Sequence, residues 1–156
     1  METFVRPAES DDVVVLVELE AQLRAAAVAQ ERGGPAWLAT RPELAGIGWR
    51  VRLADPGWLT LVGGIDGVVL AVGMMRLPLV GPRAVATVEF IFVTDGAREV
   101  SLGESILTTL VDAARVAGAT EIDATALPGD RDTKNLYERL GLVARLIVVS
   151  RRLAQP

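Results

Sequence analysis

A strand pattern over Thr87–Val93 (Thr-Val-Glu-Phe-Ile-Phe-Val) runs through a short loop into a helical pattern that begins near Gly103. A strand-loop-helix junction of this kind builds an anion site. The first N–H groups of a helix have no partner within it and point outward, and the helix dipole adds positive potential. Glycine at position 103 lets a phosphate approach the backbone closely. Glu89 is the one carboxylate in that strand pattern.

Upstream of the junction the chain reads as strands and turns. Phe4–Arg6 is a short strand stopped by Pro7. Ser10 is placed to cap a helix whose apolar stripe is Leu16, Leu19, Leu23 and Ala26, and which should end near Gly33-Gly34-Pro35. A second helix is expected over Pro42–Leu53. Trp58–Val62 and Val68–Met75 are strands joined by an Asp66-Gly67 hairpin turn. With Ala84–Val93 they should form an antiparallel meander, Pro78–Arg83 being a loop. Downstream, Gly103–Ala117 is helical, Glu121–Leu127 a strand, Arg131–Leu140 a helix capped by Gly141, and Arg145–Arg151 a final strand. The fold class is α/β (α+β), with a mixed, mostly antiparallel sheet and helices on both faces. Residues 1–156 read as a single domain, with no internal repeat.

Composition narrows the chemistry. The 156 residues include no cysteine and no histidine, which removes thiolate nucleophiles, disulfides, cysteine zinc sites and the usual general base. Acid-base work must come from Asp, Glu, Tyr, Lys or the terminal amine. The net charge of −4 gives no general attraction to nucleic acid or anionic membrane. No apolar run is long enough to span a bilayer and no signal peptide is evident, so a cytoplasmic location is expected. The bias toward Ala, Val, Arg and Gly suggests a bacterial source.

Val93, Arg98 and Gly103 match the pattern V-x-P-x-x-R-x-x-G-x-G/A, with Asp95 where proline is usual and Ser101 where the first glycine is usual. Leu136-Tyr137-Glu138-Arg139-Leu140-Gly141-Leu142 matches a second pattern, N-x-x-A-x-x-L/F-Y-x-x-x-G-F/L, with Asp130 in place of asparagine and Thr133 in place of alanine. On these motifs and the strand order, the chain resembles the GNAT superfamily of acyl-CoA-dependent N-acyltransferases. The resemblance covers nearly the whole chain.

The resemblance implies roles by position. Acetyl-CoA or another acyl-CoA is the co-substrate, and no metal is needed. The backbone of Ile91, Phe92 and Val93 would pair with the pantetheine arm. The pyrophosphate would be held at Arg98 and by the N–H groups of Glu99, Val100, Ser101, Leu102, Gly103 and Glu104. Asp130 would lie near the thiol end. Tyr137, the only tyrosine, would protonate the departing thiolate, and Glu89 would take the proton of the incoming amine. The acceptor would be a small-molecule amine or a protein amine. A homodimer is an assembly that the superfamily often uses and that the final strand allows.

Each assignment has a plainer alternative. Gly103 also suits close packing of helix on strand, Ser101 an ordinary helix cap, Arg98 a solvated cation and Tyr137 core packing. Glu99 and Glu104 put two carboxylates beside the expected pyrophosphate, where unscreened repulsion is about 1 kcal/mol each near 4 Å in water. A catalytically degenerate domain of the same fold, with a regulatory or assembly role, is therefore the rival reading. Absence of G-x-G-x-x-G and G-x-x-x-x-G-K-[ST] argues against a generic nucleotide binder.

Overall fold

The computed structural model describes residues 1–78, 81–98 and 101–154. Within them five strands make one sheet: β1 (Thr3–Pro7), β2 (Trp58–Ile65), β3 (Val68–Arg76), β4 (Val85–Val93) and β5 (Glu121–Ala124), in that order across the sheet. The first three pairings are antiparallel and β4–β5 is parallel. The β2–β3 turn is the one expected. Asp66 and Gly67 both adopt positive φ, at 48° and 82°, and so supply the twist a two-residue hairpin requires.

Five helices cover the sheet: α1 (Val13–Ala29), α2 (Gly34–Ala39), α3 (Ala45–Ala54), α4 (Leu102–Val116) and α5 (Arg131–Arg139). Strand alternation divides the core in two. Leu61, Ala71, Met75 and Val88 pack against Ile106, Leu107 and Leu110 of α4. Val62, Val72, Met74 and Phe92 pack on the other face against Leu16 and Leu19 of α1 and Trp49 of α3. Two strand glycines bring α4 close. A Cβ on Gly73 would lie 2.4 Å from Ile106 Cγ2, and one on Gly63 would lie 3.2 Å from Ile106 Cδ1. Ile106 is fully buried there, a gain of about 1.5–3 kcal/mol over an exposed side chain.

The N-terminal half departs from the sequence pattern in identifiable ways. Ser10–Asp12 form a 3-10 turn, and Asp12, not Ser10, holds the entry to α1. The Asp12 carboxylate accepts Arg6 at 2.7 and 2.9 Å and the Glu9 N–H at 2.7 Å. The first helix stops at Ala29, short of the expected end at Gly33–Pro35, and α2 then starts at Gly34. Gly34 is sterically required, because a Cβ would lie 1.8 Å from the Ala27 carbonyl oxygen. The second expected helix begins at Ala45 and not at Pro42. Buried Glu20 of α1 fixes that start by accepting the Leu44 and Ala45 N–H groups, at 2.9 and 3.2 Å, and Trp49 Nε1 at 3.1 Å.

Two expectations fail downstream. The strand expected over Glu121–Leu127 ends at Ala124, and the strand expected over Arg145–Arg151 does not form. Arg145–Arg151 is exposed throughout. A strand needs a partner ladder, and among the described residues no strand pairs with this segment.

Candidate active site

Strands β4 and β5 pair only over Val85–Val88 against Glu121–Ala124. Beyond that point β5 has ended and the chain turns away through Thr125–Leu127, while β4 continues to Val93. The split leaves a cleft of about 510 Å³. Its floor is Glu89–Val93, and Thr125–Leu127 and α5 form one wall. Leu23, Ala26 and Ala27 of α1 with Trp37 of α2 form the other, and the start of α4 closes one end. The N–H and C=O groups of β4 that would have met β5 face this space.

Glu89 owes its place to a β-bulge. Phe90 pairs with Met74 and Val88 with Met75, so Glu89 is an extra residue in β4. Side-chain parity flips across it: Ala86 and Val88 face α4, whereas Phe90 and Phe92 face α1 and α3. Bulges re-aim side chains in this way. The Glu89 side chain is 15% exposed, and its Oε2 accepts Arg41 Nε at 3.3 Å. Among the described residues no hydrogen bond engages Oε1. The Arg41 guanidinium carbon also lies 4.5 Å from the Trp37 ring centre. Arg41 Nη1 donates to the Trp37 carbonyl at 3.1 Å, and Arg24 Nη1 donates to the Arg41 carbonyl at 2.8 Å.

At the far end Ser101 sits at the N-cap of α4, but its side chain makes no cap hydrogen bond. The Leu102 side chain is buried in the core, so only its backbone is available to the cleft. Gly103 is a packing point as well as a cleft residue: a Cβ there would lie 3.3 Å from Leu136 Cδ2 and 3.6 Å from Val93 Cγ2. Glu104 does not stand alone, since its Oε2 is 3.7 Å from Arg139 Nε. Arg98 lies between Asp95, at 3.0 Å, and Asp132, at 3.8 Å. Glu99 and Val100 lie outside the described residues.

Tyr137 is buried, and its hydroxyl is 3.4 Å from the Thr125 carbonyl oxygen across the cleft wall. Burial raises its pKa well above the ordinary tyrosine value, and the nearby charge of Asp130 adds to the rise. Asp130 caps α5, accepting the Thr133 N–H at 3.1 Å and the Thr133 hydroxyl at 2.6 Å. The cleft therefore brings together Glu89, Ile91, Phe92, Val93, Arg98, Ser101, Gly103, Glu104, Asp130 and Tyr137.

The sequence matches the family model described as Acetyltransferase (GNAT) family over residues 20–142. The chain belongs to the GNAT acetyltransferase family. No curated protein matches it. Among solved structures, the GNAT fold of this chain superposes on the aminoglycoside antibiotic 6'-N-acetyltransferase AAC(6')-Ih of Acinetobacter baumannii with a TM-score of 0.70 at 13% identity, covering 98% of this chain and 100% of that one. Ribosomal-protein-alanine N-acetyltransferase from Brucella melitensis biovar Abortus 2308 gives 0.72 at 17% identity, with the same coverage. AAC(6')-Iy in complex with a bisubstrate analogue of CoA and acetylneamine gives 0.73 at 15% identity, again covering 98% and 100%. Likeness at these identities speaks for the fold alone.

Asp132 and Arg139 line the GNAT cleft and Arg41 pairs with Glu89 beside it, and none of the three stands at a position the motifs fix. Arg41 is 48 residues from Glu89 in sequence, in a stretch with no recognisable pattern. Arg139 lies inside the tyrosine block but at a position the motif leaves open. No helix of the chain is long and apolar enough to cross a membrane, and no cluster of acidic side chains suited to a metal ion occurs, both among the described residues.

Proposed function

We propose that the chain is an N-acetyltransferase, acting as one domain over residues 1–156, that moves an acetyl or other acyl group from acyl-CoA to a primary amine by direct attack. The observation that carries this reading is the split between β4 and β5, which brings a carboxylate and a phenol to one cleft that ends at the start of a 15-residue helix. The residues present suit a CoA thioester. Backbone groups of Ile91–Val93 face the cleft for an extended amide arm. The free N–H groups at the start of α4, with Arg98 and Arg139 near them, suit a pyrophosphate.

In this reading Glu89 accepts the proton that the ammonium must lose before it can attack. The free Oε1 is the atom available for it, directly or through a water. Tyr137 keeps its proton throughout the neutral range, because burial penalises the phenolate. A thiol has an ordinary pKa near 8.5, so complete transfer from a phenol whose pKa exceeds 10 runs uphill. Tyr137 then acts mainly as a hydrogen-bond donor to the charge that develops on sulfur, and solvent completes the protonation. The acceptor is a small-molecule or protein amine. The test is calorimetry with acetyl-CoA together with acyl transfer to a panel of amines; no binding at high protein concentration sinks the reading.

A second reading has its own support. Arg98 is held by two carboxylates and Glu89 by Arg41, so the charged groups that would meet substrates already have partners within the chain. A domain of this fold with a regulatory or assembly role fits that pattern. Acetyl-CoA binding with no transfer to any amine would select it.

A further inference from the structure

Arg52 of α3 is a half-buried cation without an anion. Its guanidinium carbon lies 3.7 Å from the centre of the Trp58 ring, and its Nη1 donates to the Met74 sulfur at 3.5 Å. Among the described residues the side chain makes no other hydrogen bond and no ion pair. A thioether is a weak acceptor, and a guanidinium carries five donors in a fixed fork.

Three carboxylates act on Arg52 through their charge, Glu89 most strongly, then Asp55 and Glu20. Each is engaged elsewhere. Glu20 accepts the Leu44 and Ala45 N–H groups and Trp49 Nε1. Asp55 accepts the Gly57 N–H at 2.8 Å, and Glu89 gives Oε2 to Arg41. Burial outweighs these charges and lowers the Arg52 pKa from its ordinary value, yet an arginine stays protonated throughout the neutral range. A cation withdrawn from water calls for an anion beside it.

The strand register fixes where this cation stands. Trp58 pairs with Arg76 and Arg76 with Thr87, while Met74 pairs with Phe90, the neighbour of Glu89. Gly103 at the start of α4 lies instead against Val93. At about 3.3 Å per residue, Thr87 and Val93 are roughly 20 Å apart along β4, and Glu89 stands between them. Exposed Arg76 adds a second cation at the Thr87 end, its guanidinium carbon 5.9 Å from the Trp58 ring. The chain as a whole carries a net charge of −4, so this cationic corner is local and runs against the composition.

Resting on the acyltransferase reading above, we infer that the acceptor is a small amine that also carries a carboxylate. The amine meets Glu89, and the carboxylate turns away from the CoA end to the Arg52 guanidinium on Trp58. A planar fork of N–H donors matches a carboxylate in a bidentate pair. Trp58 covers one face of the guanidinium and so sets the plane in which the carboxylate meets its edge. The same pairing eases the approach of an ammonium to Glu89 beside Arg41, because an amino carboxylate brings its own negative charge into a cationic surround.

Initial-rate kinetics with acetyl-CoA test this. The acceptors are glycine, β-alanine, γ-aminobutyrate and δ-aminovalerate, each beside its primary carboxamide. At least one acid should exceed its amide in kcat/KM by about 10-fold or more, with the gain in KM. Arg52→Gln should bring that ratio near one. Arg52→Lys, which keeps the charge but not the fork, should retain part of it. Each ratio is taken within one protein, so a loss of folded enzyme cancels. Ratios near one across the parent series, or a ratio that survives Arg52→Gln, overturn the inference. Calorimetry with acetyl-CoA separates the two levels: binding, with transfer to amides and acids alike, sinks this inference and leaves the acyltransferase standing. No binding and no transfer to any member sinks both.

Discussion

Arg41 lies against Glu89, Nε to Oε2 at 3.3 Å, while its guanidinium rests on Trp37. In the proposed reaction a cationic acceptor shares this carboxylate with the guanidinium, whose charge opposes it. The two partners should therefore respond in opposite directions. On the proposed role of Glu89 as base, Glu89→Gln should lower kcat by about 10²–10⁴-fold, with acetyl-CoA affinity unchanged by calorimetry. Arg41→Ala removes the competitor and should lower KM for cationic amines by about 3- to 10-fold, in keeping with the ~1 kcal/mol worth of a partly exposed pair. A purely structural ion pair predicts losses of similar kind from both substitutions, and that result would remove Glu89 from the chemistry.

Tyr137 is the only tyrosine, so tyrosinate absorbance titrates this one residue. Its midpoint should lie well above the ordinary value of about 10. The sign for stability follows from linkage. The folded state holds this proton more tightly than the unfolded chain, so the contribution is complete below pH 10 and declines as pH rises toward the folded pKa. Tyr137→Phe should melt close to the parent at pH 7 but resist alkaline destabilisation better above pH 10. It should also lose about 10- to 100-fold in kcat if the hydroxyl serves the leaving thiolate. A titration midpoint at or below 10 contradicts the burial described for this phenol.

Asp12 offers a separate test at the acid end. The hydrogen bonds from Arg6, with the Glu9 N–H, hold its carboxyl below the ordinary carboxylate range. That stabilisation is present above the unfolded pKa of about 3.9 and fades as pH falls through the folded value. Asp12→Asn weakens the bidentate partner of Arg6 and should cost about 1–3 kcal/mol at pH 7. The difference from the parent should shrink in urea melts taken near pH 3. A constant difference across that range rules out the charge as its source.

Much of the fold could be read from residues, because it rests on local signals. The Asp66-Gly67 turn, the apolar stripe of α4 and Gly141 after α5 each act within a few positions of themselves. The misses are long-range. Glu20 sets the start of α3 from the middle of α1, across 24 or more positions, and no period in the sequence announces a buried carboxylate. The bulge at Glu89 is a register shift against β3, so strand alternation alone leaves the direction of that side chain open. Arg41 and Glu89 meet only once α2 is folded over β4. The Arg145–Arg151 segment shows the opposite failure: its strand propensity was plain, but propensity supplies no partner.

The contact between Gly73 and Ile106 gives a test of how the sheet seats α4. A Cβ at position 73 would fall 2.4 Å from Ile106 Cγ2, inside any tolerable separation. Both sites are buried, so the strain has no escape to solvent. Gly73→Ala should destabilise by about 1–3 kcal/mol, the range for overpacked cores. Ile106→Ala alone should cost about 2–5 kcal/mol by leaving a cavity. Combined, the two should cost less than their sum, by about 0.5–3 kcal/mol, because the new methyl occupies space the isoleucine vacated. Urea melts of the four proteins measure that coupling. Strict additivity would mean that α4 does not rest on Gly73 as described, and that the start of α4, where the cleft ends, is positioned by other contacts.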